Sequence, residues 1–115
     1  MPEFATALDL ITRVHGVRGA MLVSVSDGLV VAESSMDGVD GAPVAALTAS
    51  LAGRLRRTTE AAGRRLPTFI HLRAATGTVL AVPSNDDLLV VTIGAPDINV
   101  GLARLEMLHV AERGI

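Results

Sequence analysis

The strongest constraint on the fold is residues 41–63, which predict one helix with almost no polar side over its first three turns. Pro43 stands in the first turn, where the amide hydrogen that proline lacks would have no partner. Asp40 just upstream is suited to cap the helix, and Gly63 is suited to end it in a left-handed conformation. A helix without a polar side is usually covered on more than one side, so two packing surfaces are expected.

At about 100° per residue, this helix has two apolar faces that differ in the size of their side chains. The larger residues form one stripe: Val44, Leu47, Leu51, Leu55 and Ala62. The small residues form two rows: Ala45, Ala49 and Ala52, and Ala46, Ser50 and Gly53. We expect the stripe to pack on the chain's own sheet and the small rows to pack on a second subunit. An Ala49→Glu substitution is then expected to split a dimer without unfolding the subunit, because it buries a carboxylate only at the seam.

The remaining patterns predict the element order helix, two strands, helix, three strands, helix. The predicted helices are 2–15, 41–63 and 100–113, and the predicted strands are 19–26, 29–34, 68–74, 78–83 and 88–94. Asp27-Gly28 between the first two strands favours a tight hairpin turn, and Asn99 is suited to cap the last helix. Strands joined at hairpin spacing predict an α+β fold with a mostly antiparallel sheet and helices on both faces.

The strand at 68–74 differs from its two successors. Phe69, His71 and Arg73 alternate with apolar residues, which is typical of an edge strand that must be covered, blunted or paired with another chain. The segments 79–82 and 88–93 are nearly all apolar, which predicts central strands covered on both faces.

Composition excludes several classes of function. The length of 115 residues fits one domain, residues 1–115, and the net charge of −2 argues against nucleic acid as the main partner. The absence of cysteine rules out disulfides and thiol chemistry. Apolar residues make up 50% of the chain, yet no run approaches the ~18–20 residues of a membrane span. The N-terminal residues carry no signal-peptide pattern, so a cytoplasmic location is expected.

No residue pattern in the chain predicts catalysis. His15, His71 and His109 have no ligand-type neighbours at helical or strand spacing, so no metal site is expected. There is no lysine for a phosphate-binding loop and no serine elbow, and Asp86-Asp87 reads as a solvated turn. We therefore expect a protein that is not an enzyme and holds no cofactor.

Arginines form the one charge cluster, at positions 54, 56, 57, 64 and 65. Two interpretations stay open for them. They form a solvated helix end with a favourable placement on the helix dipole. Alternatively, they form a docking patch for an acidic partner or the rim of a dimer seam.

Three segments together resemble the roadblock / dynein light chain family, in particular its small bacterial and archaeal Mgl-type members. They are GVRGAMLVSVSDGLVVAES, APVAALTASLAGRL and TGTVLAVPSNDDLLVVTIGAPDINVGLARLEM. The resemblance implies an αββαβββα, roadblock/longin-like sandwich with a five-stranded antiparallel sheet. It also implies a homodimer in which the strand at 68–74 pairs with its mate and the second helices pack beside it. The implied interface residues are Ala45, Ala46, Ala49, Ser50, Ala52, Gly53, Phe69, His71 and Arg73.

Members of this family bind small Ras-like GTPases, and some accelerate GTP hydrolysis by positioning the GTPase's own residues. The resemblance therefore implies a homodimeric regulator or adaptor with no catalytic residue of its own. Arg54, Arg56 and Arg57 are the candidate partner contacts. Two alternatives stay open: a dimerisation scaffold without effect on nucleotide turnover, and a small-ligand sensor with a pocket between sheet and helix.

Overall fold

The structure of the chain is a computed structural model that describes residues 2–34, 36, 38–63, 68–84 and 87–112, with side chains from residue 6 onward. Its helices are α1 (Pro2–Thr12), α2 (Gly41–Ala61) and α3 (Val100–Glu112). Its strands are β1 (Val17–Ser24), β2 (Val30–Ser34), β3 (Ile70–Ala74), β4 (Gly77–Pro83) and β5 (Leu88–Gly94). The order of elements confirms the predicted order. No described helix has the length and apolar character that crossing a membrane requires.

The strands form one five-stranded antiparallel sheet in the order β2-β1-β5-β4-β3. This confirms the predicted fold class. The apolar strands β5 and β4 lie inside the sheet and β3 lies at one edge, as their residue patterns predict. β2 forms the other edge.

Two apolar cores lie on opposite faces of the sheet, because the side chains of each strand alternate between the faces. On one face, α1 packs over β1 and β2 while α3 packs over β4 and β5. Leu8, Ile11 and Met107 of these helices are fully buried there. On the other face, α2 packs mainly over β1, β2 and β5. That placement leaves the α2 side of β3 and β4 less covered than the rest of the sheet.

Local chemistry begins α2 and α3 and ends α2 as the sequence predicts, whereas α1 ends at Thr12 and not at the predicted residue 15. The Asp40 carboxylate accepts a hydrogen bond from the Ala42 amide at 3.2 Å, and Gly63 after α2 has φ +69°. The Asn99 side-chain oxygen accepts from the Leu102 amide at 3.1 Å and caps α3.

The turn between β1 and β2 is wider than the predicted two-residue turn. The Ser24 amide donates to the Leu29 carbonyl at 2.9 Å, so residues 25–28 form a four-residue loop. Only Gly28 in this loop has positive φ, +70°, whereas a tight type I′ turn needs positive φ at both central residues. Asp27 instead accepts a hydrogen bond from the Leu29 amide through its carboxylate at 3.1 Å, which favours the wider loop.

Candidate interaction surface

The edge strand β3 supplies the first part of the candidate surface. β3 pairs with β4 on one side only, from Ile70 opposite Ala81 to Ala74 opposite Gly77. No described strand pairs with its other side, so backbone donors and acceptors along that side are open to another chain. The predicted edge position is therefore confirmed.

The side chains of β3 divide between the two faces of the sheet. Ile70 is buried and belongs to the core beneath α2, and Leu72 packs against that core. The predicted strand 68–74 begins too early, because β3 starts at Ile70. Phe69 precedes the strand and packs against the core beneath α1 and α3. By alternation, the exposed side chains of His71 and Arg73 lie on the same face as Phe69.

Helix α2 faces its own sheet with its small residues, and the predicted assignment of its two apolar faces is wrong. Ala45, Ala49 and Ala52 are 0%, 4% and 9% exposed in the core with Met21 and Val91 of the sheet. These three alanines are therefore unavailable as the dimer contacts that the sequence predicts. The burial of Ala49 reverses the expectation for Ala49→Glu, because a carboxylate at position 49 would lie inside the subunit.

Close approach of α2 to the sheet explains the small residues on its buried face. A side-chain carbon at Gly28 would lie 3.5 Å from the backbone of Ala46, so the β1–β2 loop passes directly against the helix. Thr48 lies in the same buried face, and its hydroxyl donates to the carbonyls of Val44 and Ala45 of its own helix. Large sheet residues fill the space that the alanines leave, so the larger helix residues are displaced to a flank.

The leucine flank of α2, defined as Val44, Leu47, Leu51 and Leu55, turns toward the less covered part of the sheet. Leu47 is 59% exposed, and the other three are half-buried against the core. Leu47 lines a groove of about 410 Å³ together with Leu72 of β3, Val79 of β4 and Ile93 of β5. Leu47 of the leucine flank and the β3 edge therefore border one mainly apolar groove, which Arg73 also lines.

The opposite flank of α2, the arginine flank, consists of Ala46, Ser50, Gly53 and Arg57. Ser50, Gly53 and Arg57 line a cleft of about 380 Å³ with Arg56 and with Ser26 of the β1–β2 loop. Ala46 and Ser50 are exposed, and Gly53 is half-buried. The predicted role of Ala46, Ser50 and Gly53 at a dimer interface stays a prediction. These residues lie on the opposite side of α2 from the β3 groove.

Asp87 closes this cleft, which the sequence did not predict. It is the one described non-glycine residue with positive φ, +67°, and its carboxylate accepts from the Ser26 amide at 3.0 Å. The Ser26 hydroxyl and amide hold the pKa of Asp87 below its usual value, and the charge of Arg56 adds to this effect. Asp87 thus connects the turn before β5 to the β1–β2 loop. Asp86, which the sequence analysis placed in the same solvated turn, lies outside the described residues.

The three candidate partner arginines take different positions. Arg56 is half-buried in the cleft, Arg57 is exposed at its border, and Arg54 is exposed on the outer side of α2. Arg64 and Arg65 lie outside the described residues. The structure brings together only Arg56 and Arg57 with other polar side chains at the cleft.

The histidines are dispersed. His15 lies 3.8 Å from Asp97, His109 lies 4.0 Å from Glu106, and His71 lies on β3. Within the part of the chain that the structure describes, no group of three potential metal-ligating side chains converges.

Comparison with known proteins identifies the family of this fold. The family model described as the Roadblock/LC7 domain matches residues 3–93. The uncharacterized protein MJ1340 of Methanocaldococcus jannaschii is 30% identical over 103 residues, covering 90% of this chain and 89% of that protein.

Two solved structures show the same fold. The Roadblock/LC7 domain from Streptomyces avermitilis has a TM-score of 0.83 at 16% identity, over 95% of this chain and 92% of the other. Myxococcus xanthus MglB has a TM-score of 0.82 at 16% identity, over 96% of this chain and 89% of the other. These likenesses concern the arrangement of the backbone, since the identity to both structures is low.

Proposed function

We propose that this chain, which belongs to the Roadblock/LC7 domain family, is a homodimeric adaptor that presents a two-subunit surface to a small Ras-like GTPase. The observation that carries the proposal is the apolar groove between the leucine flank and the open edge of β3. The resemblance to GTPase-binding roadblock proteins supports the choice of partner.

The dimer joins two β3 edges and covers the two grooves. Pairing of β3 with its mate satisfies the open backbone groups and continues the sheet into the second subunit. The exposed side chain of Leu47 then packs across the twofold axis, together with the half-buried leucines of the same flank. This arrangement keeps the proposed seam beside β3 but builds it from the leucines rather than from the alanines.

The GTPase binds the outer side and the arginine flank of the paired α2 helices. Exposed Ala46 and Ser50 allow close approach of a partner's backbone, and Arg54, Arg56 and Arg57 supply charge-assisted hydrogen bonds. The cleft holds Arg56 near Asp87, so less side-chain freedom is lost on binding there than at a fully exposed arginine. Any acceleration of GTP hydrolysis comes from positioning the GTPase's own catalytic groups.

The test combines binding and single-turnover hydrolysis with a Ras-like GTPase from the same genome. Calorimetry with the GTPase in its GDP and GTP-analogue states is expected to show binding to the dimer and a preference for one state. Hydrolysis measured with and without the protein then separates two functions: acceleration indicates an activator, and binding without acceleration indicates the scaffold alternative. Absence of binding in both nucleotide states would contradict the proposal.

The small-ligand sensor is the weaker alternative, and the cleft at the arginine flank is the site where it can be tested. The cleft at the arginine flank opens to solvent between exposed residues such as Ser26 and Ser50. A thermal-shift screen of small anions and nucleotides is expected to raise the melting temperature by less than about 2 °C, because the cleft buries little of a ligand. A strong, saturable shift would favour the sensor.

A further inference from the structure

We propose that the dimer carries a trough on the α1/α3 side of its joined sheet, and that this trough binds one acidic peptide segment. The proposal rests on the proposed β3–β3 pairing. It concerns the face of the sheet opposite to α2, so its occupant and the GTPase bind at the same time.

The trough is built on four side chains, here called the basic strip: Phe69, His71, Arg73 and Arg104. The Arg104 guanidinium lies 4.9 Å from the centre of the Phe69 ring, a cation–π distance that holds it over the β3 edge. The Phe69 and His71 rings lie 6.3 Å apart. His71, Arg73 and Arg104 are exposed, so their donors are accessible from this face.

The arginines of the basic strip have no acidic partner among the described residues. The contacts between basic and acidic side chains within the described ranges join His15 to Asp97 and His109 to Glu106, and neither involves the strip. The cross-strand neighbour of Arg73 is the buried, uncharged Thr78. The residues one helical turn from Arg104, at positions 100, 101, 107 and 108, are likewise uncharged. The strip is therefore a local positive surface on a chain of net charge −2.

Twofold pairing brings two basic strips together. Opposite residues of antiparallel strands point to the same face of a sheet, so Phe69, His71 and Arg73 of both chains lie on the α3 side. The two β3 strands lie about 4.8 Å apart at the centre of the joined sheet, with the two β4 strands outside them. The floor of the trough then carries the cationic side chains of two chains.

The two α3 helices form the walls of the trough. Each α3 packs over β4 and β5, which places its axis about 9–10 Å from the twofold axis at a strand spacing of about 4.8 Å. The two helix axes are thus roughly 19 Å apart, and subtracting one helix diameter of about 10 Å leaves a gap of about 9 Å. A gap of that width is too narrow for a helix with its side chains but admits one extended segment, lying over the strips and between the two Arg104 side chains.

These features select an acidic protein segment as the occupant. Carboxylates match the unpaired guanidinium groups in charge and geometry, and the Phe69 rings offer apolar surface to the stems of glutamate side chains. Because the trough crosses the twofold axis, it binds one segment per two chains. That stoichiometry distinguishes the trough from independent surface sites on each subunit.

The experiment titrates the protein into a fluorescein-labelled Glu-Ala peptide of about 16 residues, which spans about 50 Å when extended. A Gln-Ala peptide of the same length controls for charge, and sedimentation in the same solutions reports the mass of the protein. We expect one Glu-Ala peptide per two chains and at least tenfold weaker binding of Gln-Ala. The double variant Arg73→Gln/Arg104→Gln is expected to stay dimeric and to lose roughly tenfold or more in affinity for Glu-Ala. Arg13→Gln, which removes an exposed arginine directly after α1, is the control and should change affinity less than twofold.

Three outcomes would overturn the proposal and leave the GTPase-adaptor function intact, and a fourth would overturn both. A dimer that binds Glu-Ala no better than Gln-Ala, or that binds two peptides, removes the trough but leaves the adaptor intact. A single-stranded DNA oligonucleotide of equal charge that binds as tightly would show a non-selective anion surface. A chain that sediments as a monomer would remove the trough and the proposed dimer together.

Discussion

The two flanks of α2 differ in residue size, polarity and position, although both belong to one nearly apolar helix. The leucine flank borders an apolar groove beside the β3 edge, and the arginine flank borders a polar cleft closed by Ser26 and Asp87. Between them, three alanines and Thr48 form the face that contacts the sheet. The difference shows that side-chain size, not hydrophobicity alone, decides which apolar face of this helix packs against the sheet.

We propose that the two flanks carry separate tasks. An exposed leucine beside an open strand edge favours burial against a second copy, because both features are costly to leave in water. Arginines around a cleft favour a transient partner, because polar and charged side chains are hydrated by water when the partner is absent. The same helix can therefore join the subunits and present a surface to another protein.

The largest expected change in stability comes from a substitution on the buried face of α2, between its two flanks. Ala49→Glu places a carboxylate where the side chain is 4% exposed and where no described cation lies in the core. We expect a loss of at least about 3 kcal/mol in the free energy of unfolding, measured by urea denaturation. Ser50→Glu, at the exposed neighbouring position, is the control and should change stability by less than about 0.5 kcal/mol. A folded, stable Ala49→Glu monomer would restore the original assignment of faces.

The next effect tests how closely α2 approaches the sheet. Ala45→Leu adds three carbon atoms at a site that is fully buried, so the helix or the sheet must shift. Overpacking of this kind costs about 1–3 kcal/mol, which thermal or chemical denaturation measures directly. Ala46→Leu at the exposed neighbouring position serves as the matched control and is expected to be nearly neutral. Equal stability of the two variants would mean that the small-residue face is not tightly packed.

A smaller effect, on GTPase affinity, is expected to distinguish Arg56 in the cleft from Arg54 on the outer side of α2. Arg56→Gln removes the charge that the cleft holds near Asp87, so GTPase affinity is expected to fall about tenfold, or about 1.4 kcal/mol. Arg54→Gln removes a fully solvated charge and should cost less than about 1 kcal/mol. Calorimetry at two salt concentrations measures both. If Arg54→Gln is the more damaging change, the cleft is not part of the binding surface.

The smallest effect is the pH dependence at the closed end of the cleft. The pKa of Asp87 is lower in the folded chain than its usual value of 3.8, so its ionised form stabilises the fold above that pH. This contribution is lost as the pH falls below 3.8 and through the lower folded pKa. Asp87→Asn keeps a residue that tolerates positive φ and is expected to flatten this acid-side decline in denaturation midpoint. An unchanged pH profile would show that the Ser26 contact does not hold the loop in solution.

The fold was predictable because the signals that define it are local. Asp40 and Asn99 cap their helices through neighbours two and three residues away, and Gly63 follows α2 with the left-handed φ that its position predicts. The alternation along β3 identified an edge without knowledge of the other strands. Each of these features depends on a few consecutive residues.

The candidate site was less predictable because it depends on contacts between distant residues. Ser26 and Asp87 are 61 positions apart, and no periodicity links them. The faces of α2 could not be ranked from the helix alone, since both are apolar. The deciding facts are the close pass of the loop at Gly28 and the large side chains of the sheet, which lie in other segments. The sequence contains both the small residues of α2 and the large residues of the strands, but it does not show that the two sets pack against each other.

The most direct test of the account is the mass in solution of two neighbouring variants, Leu47→Glu and Ala46→Glu, beside the unaltered chain. Sedimentation equilibrium is expected to give twice the mass of one chain for the unaltered protein and for Ala46→Glu. Leu47→Glu is expected to give the mass of one chain with an unchanged circular dichroism spectrum, because the carboxylate would be buried only at the seam. A monomeric Ala46→Glu beside a dimeric Leu47→Glu would contradict the account and place the seam on the arginine flank.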